Sequence, residues 1–261
     1  MTNQGKNPLG NNIGIPTKYS PSILYSIPRQ KNSIDFLGVD RWDCYEVFWK
    51  TKAGLPQMAT GVLTYSINSP YIVESKSVKL YLGSFFEEEF ESYEQLSKVI
   101  LSDIGAAVGK TDGVSWEWGP VTGLPCSSVP QCSSIPQCNS ENLSFKIFNH
   151  DQIELFEFHN FRSICPVTNQ PDYASIVLYA SSGSVDKVKF FEHLYSYKNH
   201  GAFHETCSNE IFSWVMDNFN PLTLGIGCYF TRRGGIAINP IRWIGDQKLD
   251  LYLLSIRYLR Q

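Results

Sequence analysis

The chain lacks several features that would each have assigned it to a class. No stretch approaches the ~20 consecutive apolar residues needed to cross a bilayer as a helix, so no helical membrane span is expected. The opening segment MTNQGKNPLGNN has no apolar core, so no secretory leader is expected. There is no basic excess: the net charge is -3 over 261 residues, which argues against a dedicated nucleic-acid binder. The seven cysteines are odd in number and form no disulfide framework, which suits the reducing cytoplasm. No GxGxxG fingerprint follows any predicted strand, so a Rossmann domain is not expected. The stretch GAAVGKT at Gly105 has three residues between its glycines where a phosphate-binding loop has four, and it follows a predicted helix rather than a strand.

What remains is ample for a folded core. Hydrophobic residues make up 43% of the chain, and the length suits one large domain or two smaller ones. Residues 1–34, rich in Pro, Asn and Ser, read as an arm that wraps a neighbouring surface or frays. The second half is the more legible. IELFEFHNFRSI and YASIVLYASS carry β-branched and aromatic residues and read as two strands joined through Cys165. SVDKVKFFEHLYSYKNHG follows, with Val188, Phe191, Leu194 and Tyr195 expected on one helical face. A second helix is expected over Phe203 to Asn218, with Phe212, Val215 and Met216 inward. PLTLGIGCYFTRRGG and IAINPIRWIG return to strand character, with Gly234 and Gly235 as a hairpin signal.

The first half repeats that order less clearly. DCYEVFWKT and MATGVLTYSI pair around Gly54, ESKSVKLYLGSF and SYEQLSKVILSDIGAAVG are helical, and VSWEWGPV and LSFKIFNH are candidate closing strands. Two such units in tandem predict an α+β chain of antiparallel sheets with helices on one side. The divisions expected are an arm at 1–34, a first module at 35–150 and a second at 151–261. The six-residue repeat CSSVPQCSSIPQC, near 124–140, reads as a Ser/Pro-rich insertion in a surface loop, because zinc sites favour cysteines two to four residues apart.

Four short stretches carry candidate chemistry. In FRSICPVTNQPDY, Cys165 precedes a proline and stands seven residues before Asp172, which leaves open a buried small hydrophobe or a nucleophile with its acid. In NHGAFHETC, His200, His204 and Cys207 have metal-ligand spacing. Glu205 could instead accept paired N–H donors from a guanine-like edge, and a solvated helix start is the third reading. In ESKSVK, Lys76 and Lys79 share a helical face beside Glu74, as a phosphate site or a solvated face. In TRRGG, Arg232 and Arg233 adjoin two glycines, as an anion site or a basic hairpin tip.

Together, ESKSVKLYLGSF, CPVTNQPDY, FHE and TRRGGIAINP resemble the NADPH-dependent 7-cyano-7-deazaguanine reductases of the queuosine pathway, in their longer two-module form. The resemblance spans roughly residues 35 to 261 and implies two tandem tunnelling-fold modules related to GTP cyclohydrolase. Each would be an antiparallel four-stranded sheet with two helices. It implies a cytoplasmic homodimer acting on a small deazapurine, with NADPH as cofactor, no metal and no direct contact with nucleic acid or membrane. By resemblance, Cys165 forms a covalent thioimide with the substrate nitrile and Asp172 is the general acid. Val73, Glu74, Ser75, Phe203, His204 and Glu205 contact the substrate, while Ser75, Lys76, Arg233 and Gly234 hold NADPH. Asn169 stands where the family often has glycine. The cysteine-rich insertion is a second departure, and the resemblance implies nothing about its role. Hydrolysis of the same thioimide by water without cofactor, a metal-dependent cyclohydrolase on the same fold, and a non-catalytic purine- or pterin-binding module are the competing readings.

Overall fold

The computed structural model describes residues 14, 16–32, 34–119, 144–145, 153–181, 183–245, 253–254, 256 and 261. The cysteine-rich insertion lies outside them. The chain divides into two units. The first groups the described residues of Met1–Lys31, Asp40–Val121 and Arg232–Ala237; the second groups those of Asn32–Val39, Thr122–Thr231 and Ile238–Gln261. The architecture is α+β, with antiparallel sheet and four α-helices among the described residues.

In the first unit, the short strand β1 (Ser26–Pro28) comes before the long strand β2 (Leu37–Thr51). β2 reverses at Gly54, whose φ of 76° lies in the left-handed region that glycine enters without steric cost. β3 (Pro56–Ser66) returns beside it and buries Leu63 and Tyr65. β4 (Tyr71–Val73) pairs antiparallel with β1. Helix α1 (Ser75–Gly83) and the turn after it bury Val78, Tyr81, Leu82 and Phe85, the spacing of one helical stripe. The two-residue β5 (Glu89–Phe90) lies parallel to β2. Helix α2 (Tyr93–Val108) starts where the Ser92 hydroxyl accepts the Gln95 N–H, and stops at left-handed Gly109. Its buried stripe is Leu96, Ile100, Ile104 and Val108, four residues apart throughout. β6 (Val114–Trp118) then pairs antiparallel with β3.

In the second unit the sheet order is β11–β10–β9–β8–β7. β7 is the pair Ser144–Phe145; β8 spans Ile153–Ile164, β9 Pro171–Ser181, β10 Leu224–Phe230 and β11 Ile236–Ile244. β10 is buried along its whole length, and β9 from Ala174 to Ala180. Their runs are therefore continuously apolar where a half-solvated strand would alternate. Gly225 carries no side chain because Tyr179 crosses there: a Cβ would sit 1.9 Å from the ring. Helix α3 (Lys187–Ser196) is capped by Asp186, which accepts the Val188 and Lys189 N–H groups, and helix α4 (His204–Phe219) ends at left-handed Asn220. Leu155, Val177, Tyr179, Tyr229, Ile241, Trp243, Leu253 and Ile256 form one core cluster.

Several expectations need correction. The cap at Asp186 sets the phase of α3 so that Phe190, Leu194 and Tyr197 point inward, while Val188 and Tyr195 are 44% and 58% exposed. Met216 is only half-buried. Ser144–Phe145, expected to close the first sheet, pairs with β8 in the second unit. Among the described residues the first unit thus shows β6–β3–β2 with parallel β5, and the separate pair β1–β4. The arm needs no such correction: of its two readings, residues 19–28 follow the wrapping one and are bonded to the first unit.

One buried group predicts a pH dependence of stability. His193 lies flat on Trp214, 3.9 Å between ring centroids and 5° between planes, and burial lowers its pKa from 6.5 to about 4. Its folded pKa is below its unfolded one, so the unfolded chain takes up the proton first. Stability should fall as pH drops from 6.5 towards 4 and level off below that. Urea midpoints across that range should decline less steeply for His193→Phe. Parallel profiles would place the sensitivity elsewhere.

Candidate active site

The second unit gathers the nucleophile and acid candidates at one strand end. β8 and β9 pair in the register Ser163↔Asp172, which leaves residues 165–170 as a tight connection. The Cys165 N–H donates to the Gln170 carbonyl at 2.9 Å, and the Asn169 N–H donates to the Cys165 carbonyl at 3.1 Å. Asn169 closes the turn at φ 54°, a conformation asparagine tolerates better than most residues. The segment before α4 docks on the same end. The Ile164 N–H donates to the His200 carbonyl at 2.9 Å, and the Ala202 N–H donates to the Ile164 carbonyl at 3.2 Å. Two backbone bonds therefore deliver Phe203, His204 and Glu205 to the strand end that carries Cys165.

His204 Nε2 lies 3.4 Å from Asp172 Oδ1, and its ring stacks on Phe230 at 3.7 Å and 6°. Phe230 pairs with Ala174, two residues along β9 from Asp172, so sheet register puts the aromatic slab beside the acid. Asp172 and Glu205 are both buried, at 4% and 5% exposure. Fully buried Arg242 donates to Asn209 Oδ1 at 2.6 Å, to the Val39 carbonyl at 2.9 Å and to the Glu205 carbonyl at 3.5 Å, which ties the first turns of α4 to the strands. Nothing local in the sequence marked Phe230 or Arg242; both act through strand register.

Cys165 differs from the other cysteines among the described residues. Cys44, Cys207 and Cys228 are buried. Burial holds the Cys44 and Cys207 thiols well above their ordinary range and pushes Cys228 up to about 12, so all three stay protonated. Cys165 is half-buried at the turn, where a ligand can reach it. The metal set suggested by spacing does not assemble. His200 Nε2 meets Glu210 at 2.9 Å, His204 faces Asp172, and Cys207 is inaccessible. Among the described residues no group of three His, Cys, Asp or Glu side chains is arranged to hold a metal.

The first unit holds the other candidates. Glu74 ends the β4 segment and caps α1, its carboxylate accepting the Lys76 N–H at 2.6 Å and the Ser77 N–H at 2.8 Å. Burial raises its pKa, against the pull of those two N–H groups, the Ser75 hydroxyl and the Lys76 charge. Val73 is buried behind it, while Ser75 is exposed and Lys76 half-exposed. The turn that follows β10 packs on the same helix. Gly234 and Gly235 adopt φ of 57° and 82°, and a Cβ on Gly234 would fall 2.6 Å from Lys79 Nζ. Arg232 lies over the Tyr45 ring at 4.8 Å. Lys76, Lys79, Arg232 and Arg233 therefore come from α1 and one glycine turn that touches it. Lys79 and Arg232 had only their local spacing to mark them, one helical turn past Lys76 and beside Arg233.

A family model described as "Nitrile reductase, 7-cyano-7-deazaguanine-reductase N-term" matches residues 15–115, and one described as "QueF-like protein" matches residues 171–258. Curated relatives are similar over nearly the whole chain. A protein of Dechloromonas aromatica named NADPH-dependent 7-cyano-7-deazaguanine reductase is 31% identical, covering 92% of this chain and 90% of its own. Proteins of the same name from Paraburkholderia phytofirmans and Cupriavidus metallidurans are each 33% identical, covering 91% and 93% of this chain and 93% and 94% of theirs. A solved structure of the archaeosine synthase QueF-Like in the apo form overlaps 36% of this chain at 16% identity and a TM-score of 0.34, too partial a likeness to bear on the fold. At this identity and coverage, the chain belongs to the NADPH-dependent 7-cyano-7-deazaguanine reductase family.

Proposed function

We propose that the chain reduces the nitrile of 7-cyano-7-deazaguanine to the primary amine with NADPH, as a step of queuosine biosynthesis, through a thioimide on Cys165. The observation that carries this reading is the convergence of accessible Cys165, buried Asp172, and the His204–Glu205 pair on one strand end. A nitrile carbon is a poor hydride acceptor. The Cys165 thiolate adds to that carbon, and Asp172 protonates the nitrogen, giving a C=N thioimide that accepts hydride. The first hydride, with a second proton taken up from solvent at the nitrogen, gives a tetrahedral thioether-amine; its C–S bond breaks to return the Cys165 thiolate and leave an iminium, and a second hydride to that carbon gives the amine. Glu205 accepts N–H donors of the guanine-like edge while Phe203 and His204 line the ring, and Glu74, with its neighbours Val73 and Ser75, carries the substrate contacts that the family resemblance assigns to the first unit.

The residues of the first unit fit a dinucleotide phosphate. Gly234 leaves its turn open against Lys79, and Ser75, Lys76, Arg233 and Gly234 supply cations, a hydroxyl and exposed backbone. NADPH supplies hydride when bound. The chain has to retain the half-reduced substrate while spent nicotinamide is exchanged, because the amine needs hydride twice. On the same reading the chain is two tandem tunnelling-fold modules, at 35–150 and 151–261 after an arm at 1–34. It works as a homodimer in the cytoplasm without direct contact with nucleic acid.

The test is nicotinamide absorbance. It should fall only when chain, NADPH and nitrile are all present, and no fall with all three would refute the assignment. Ring recognition gives a second expected outcome. Glu205→Gln puts an amide donor against a ring N–H and should cost about 2–4 kcal/mol in nitrile binding, with NADPH affinity little changed. An analogue without the exocyclic amine should bind the native chain poorly and lose less in the mutant. Equal calorimetric losses for both ligands would remove Glu205 from that edge.

A further inference from the structure

The segment from Tyr19 to Pro28 lies along α1, bonded at one end to its first turn and at the other to the turn that follows it and to α2. At the far end, the Tyr19 N–H donates to Glu88 Oε1 at 2.9 Å, and its ring stacks on Phe85 at 5.5 Å and 18°. The Tyr19 and Tyr81 hydroxyls both donate to Asp103 Oδ2 at 2.6 Å, which also engages α2. Burial, and after it the bond to Asp103, pushes both phenols up, so both remain donors. Next along, the Ser20 N–H donates to Ser84 Oγ at 3.2 Å. At the near end, the Tyr25 N–H donates to Ser77 Oγ at 3.1 Å, Ser77 Oγ donates to the Glu74 carbonyl at 2.5 Å, and the Glu74 N–H donates to the Tyr25 carbonyl at 2.9 Å. β1 then continues along β4, the strand that leads into Glu74.

Those three near-end bonds close a ring around the backbone of Glu74. The ring fixes where the helix begins, and with it the direction of the Glu74 carboxylate and the placement of Ser75 and Lys76. Glutamate is not among the favoured N-cap residues, so a Glu74 placed only by its own capping bonds would be less well held. Fully buried Ser77 is the hinge of the arrangement, because its hydroxyl both accepts from the strap and donates to Glu74.

We propose that residues 19–28 are a strap that orients the first turn of α1 for ligand, with Ser77 and Tyr19 as positioning residues that touch no ligand themselves. The proposal rests on the reading that Glu74, Ser75 and Lys76 contact substrate and cofactor. Tyr19 acts at the opposite end of the helix, roughly 13 Å away for nine residues at 1.5 Å each.

The test is calorimetric titration of 7-cyano-7-deazaguanine and of NADPH into the full chain carrying Cys165→Ala, which keeps nitrile binding reversible. Each further variant is measured below its own melting temperature. Ser77→Ala should weaken nitrile binding about tenfold, the effect of misplacing one buried hydrogen-bonding group. Tyr19→Ala should weaken it in the same direction from the remote end. Tyr19→Phe keeps the ring on Phe85 and loses only the hydroxyl, so it should fall between, and it carries the remote test if Tyr19→Ala does not fold. Glu74→Gln is the control for the underlying reading. A loss with Glu74→Gln alongside unchanged affinities and lowered melting temperatures in the Tyr19 and Ser77 variants would reduce the strap to a stabilising role and overturn the proposal. No loss with Glu74→Gln would overturn the contact reading, and the strap proposal with it.

Discussion

Cys165→Ala is expected to abolish turnover, and with it the mass increase produced by adding nitrile without NADPH. Among the described residues, Cys165 is the cysteine that is not buried. The Cys207 and Cys228 thiols are buried and held protonated, so neither can attack a ligand at the 165–170 turn. Cys207→Ala and Cys228→Ala should therefore retain the adduct, with losses confined to core packing. Intact-protein mass spectrometry of the three variants is the measurement. An adduct on the Cys165→Ala chain would show that another side chain is the nucleophile.

The second large effect is expected at Asp172. Asp172→Asn preserves the shape at 4% exposure but cannot deliver a proton to the developing imide nitrogen. It also replaces one of the carboxyl oxygens beside His204 Nε2, which lies 3.4 Å from Asp172 Oδ1, while the imidazole stays on Phe230. Turnover should drop by ~10²–10⁴-fold, the range usual for loss of a general acid or base. Adduct formation should slow as well, because the nitrogen must be protonated as sulfur adds. NADPH affinity should change little, since the cofactor candidates lie on α1 and the glycine turn. Native turnover across the pH range would remove Asp172 from the mechanism.

Much of this was legible in the chain because local patterns happened to coincide with tertiary ones. The second unit follows its expected order of two strands, two helices and two strands, since β9 and β10 are buried enough to be continuously apolar and the Gly234–Gly235 turn is explicit. The phase of α3 was not legible. Val188, Phe191, Leu194 and Tyr195 also satisfy helical spacing, and only the cap at Asp186 together with the sheet beneath chooses Phe190, Leu194 and Tyr197. Which of the two readings of the arm holds, wrapping or fraying, was not legible for a related reason. Its bonds run from Tyr19, Ser20 and Tyr25 to residues more than fifty positions away, and polar composition alone resembles a fraying tail.

The site divides in the same way. Cys165, Asp172, His204 and Glu205 stand in short recognisable stretches, so their types and spacing could be read directly. Phe230 and Arg242 could not, because each works through strand pairing with residues remote in sequence. Spacing also offered a false set in His200, His204 and Cys207. The fold separates it by turning His200 to Glu210 and sealing Cys207 in the core.

The central claim is that a nitrile is reduced twice while the chain retains it, and the ratio of NADPH consumed to amine formed tests this most directly. Excess NADPH is mixed with a measured amount of 7-cyano-7-deazaguanine, and nicotinamide absorbance is followed to completion while the product is weighed by mass spectrometry and free ammonia is assayed. The account predicts two NADPH oxidised for each aminomethyl product and no ammonia. A carboxylic acid with ammonia released, or an amide with none, and no NADPH oxidised in either case, would mean that water rather than hydride resolves the Cys165 adduct, and would contradict it.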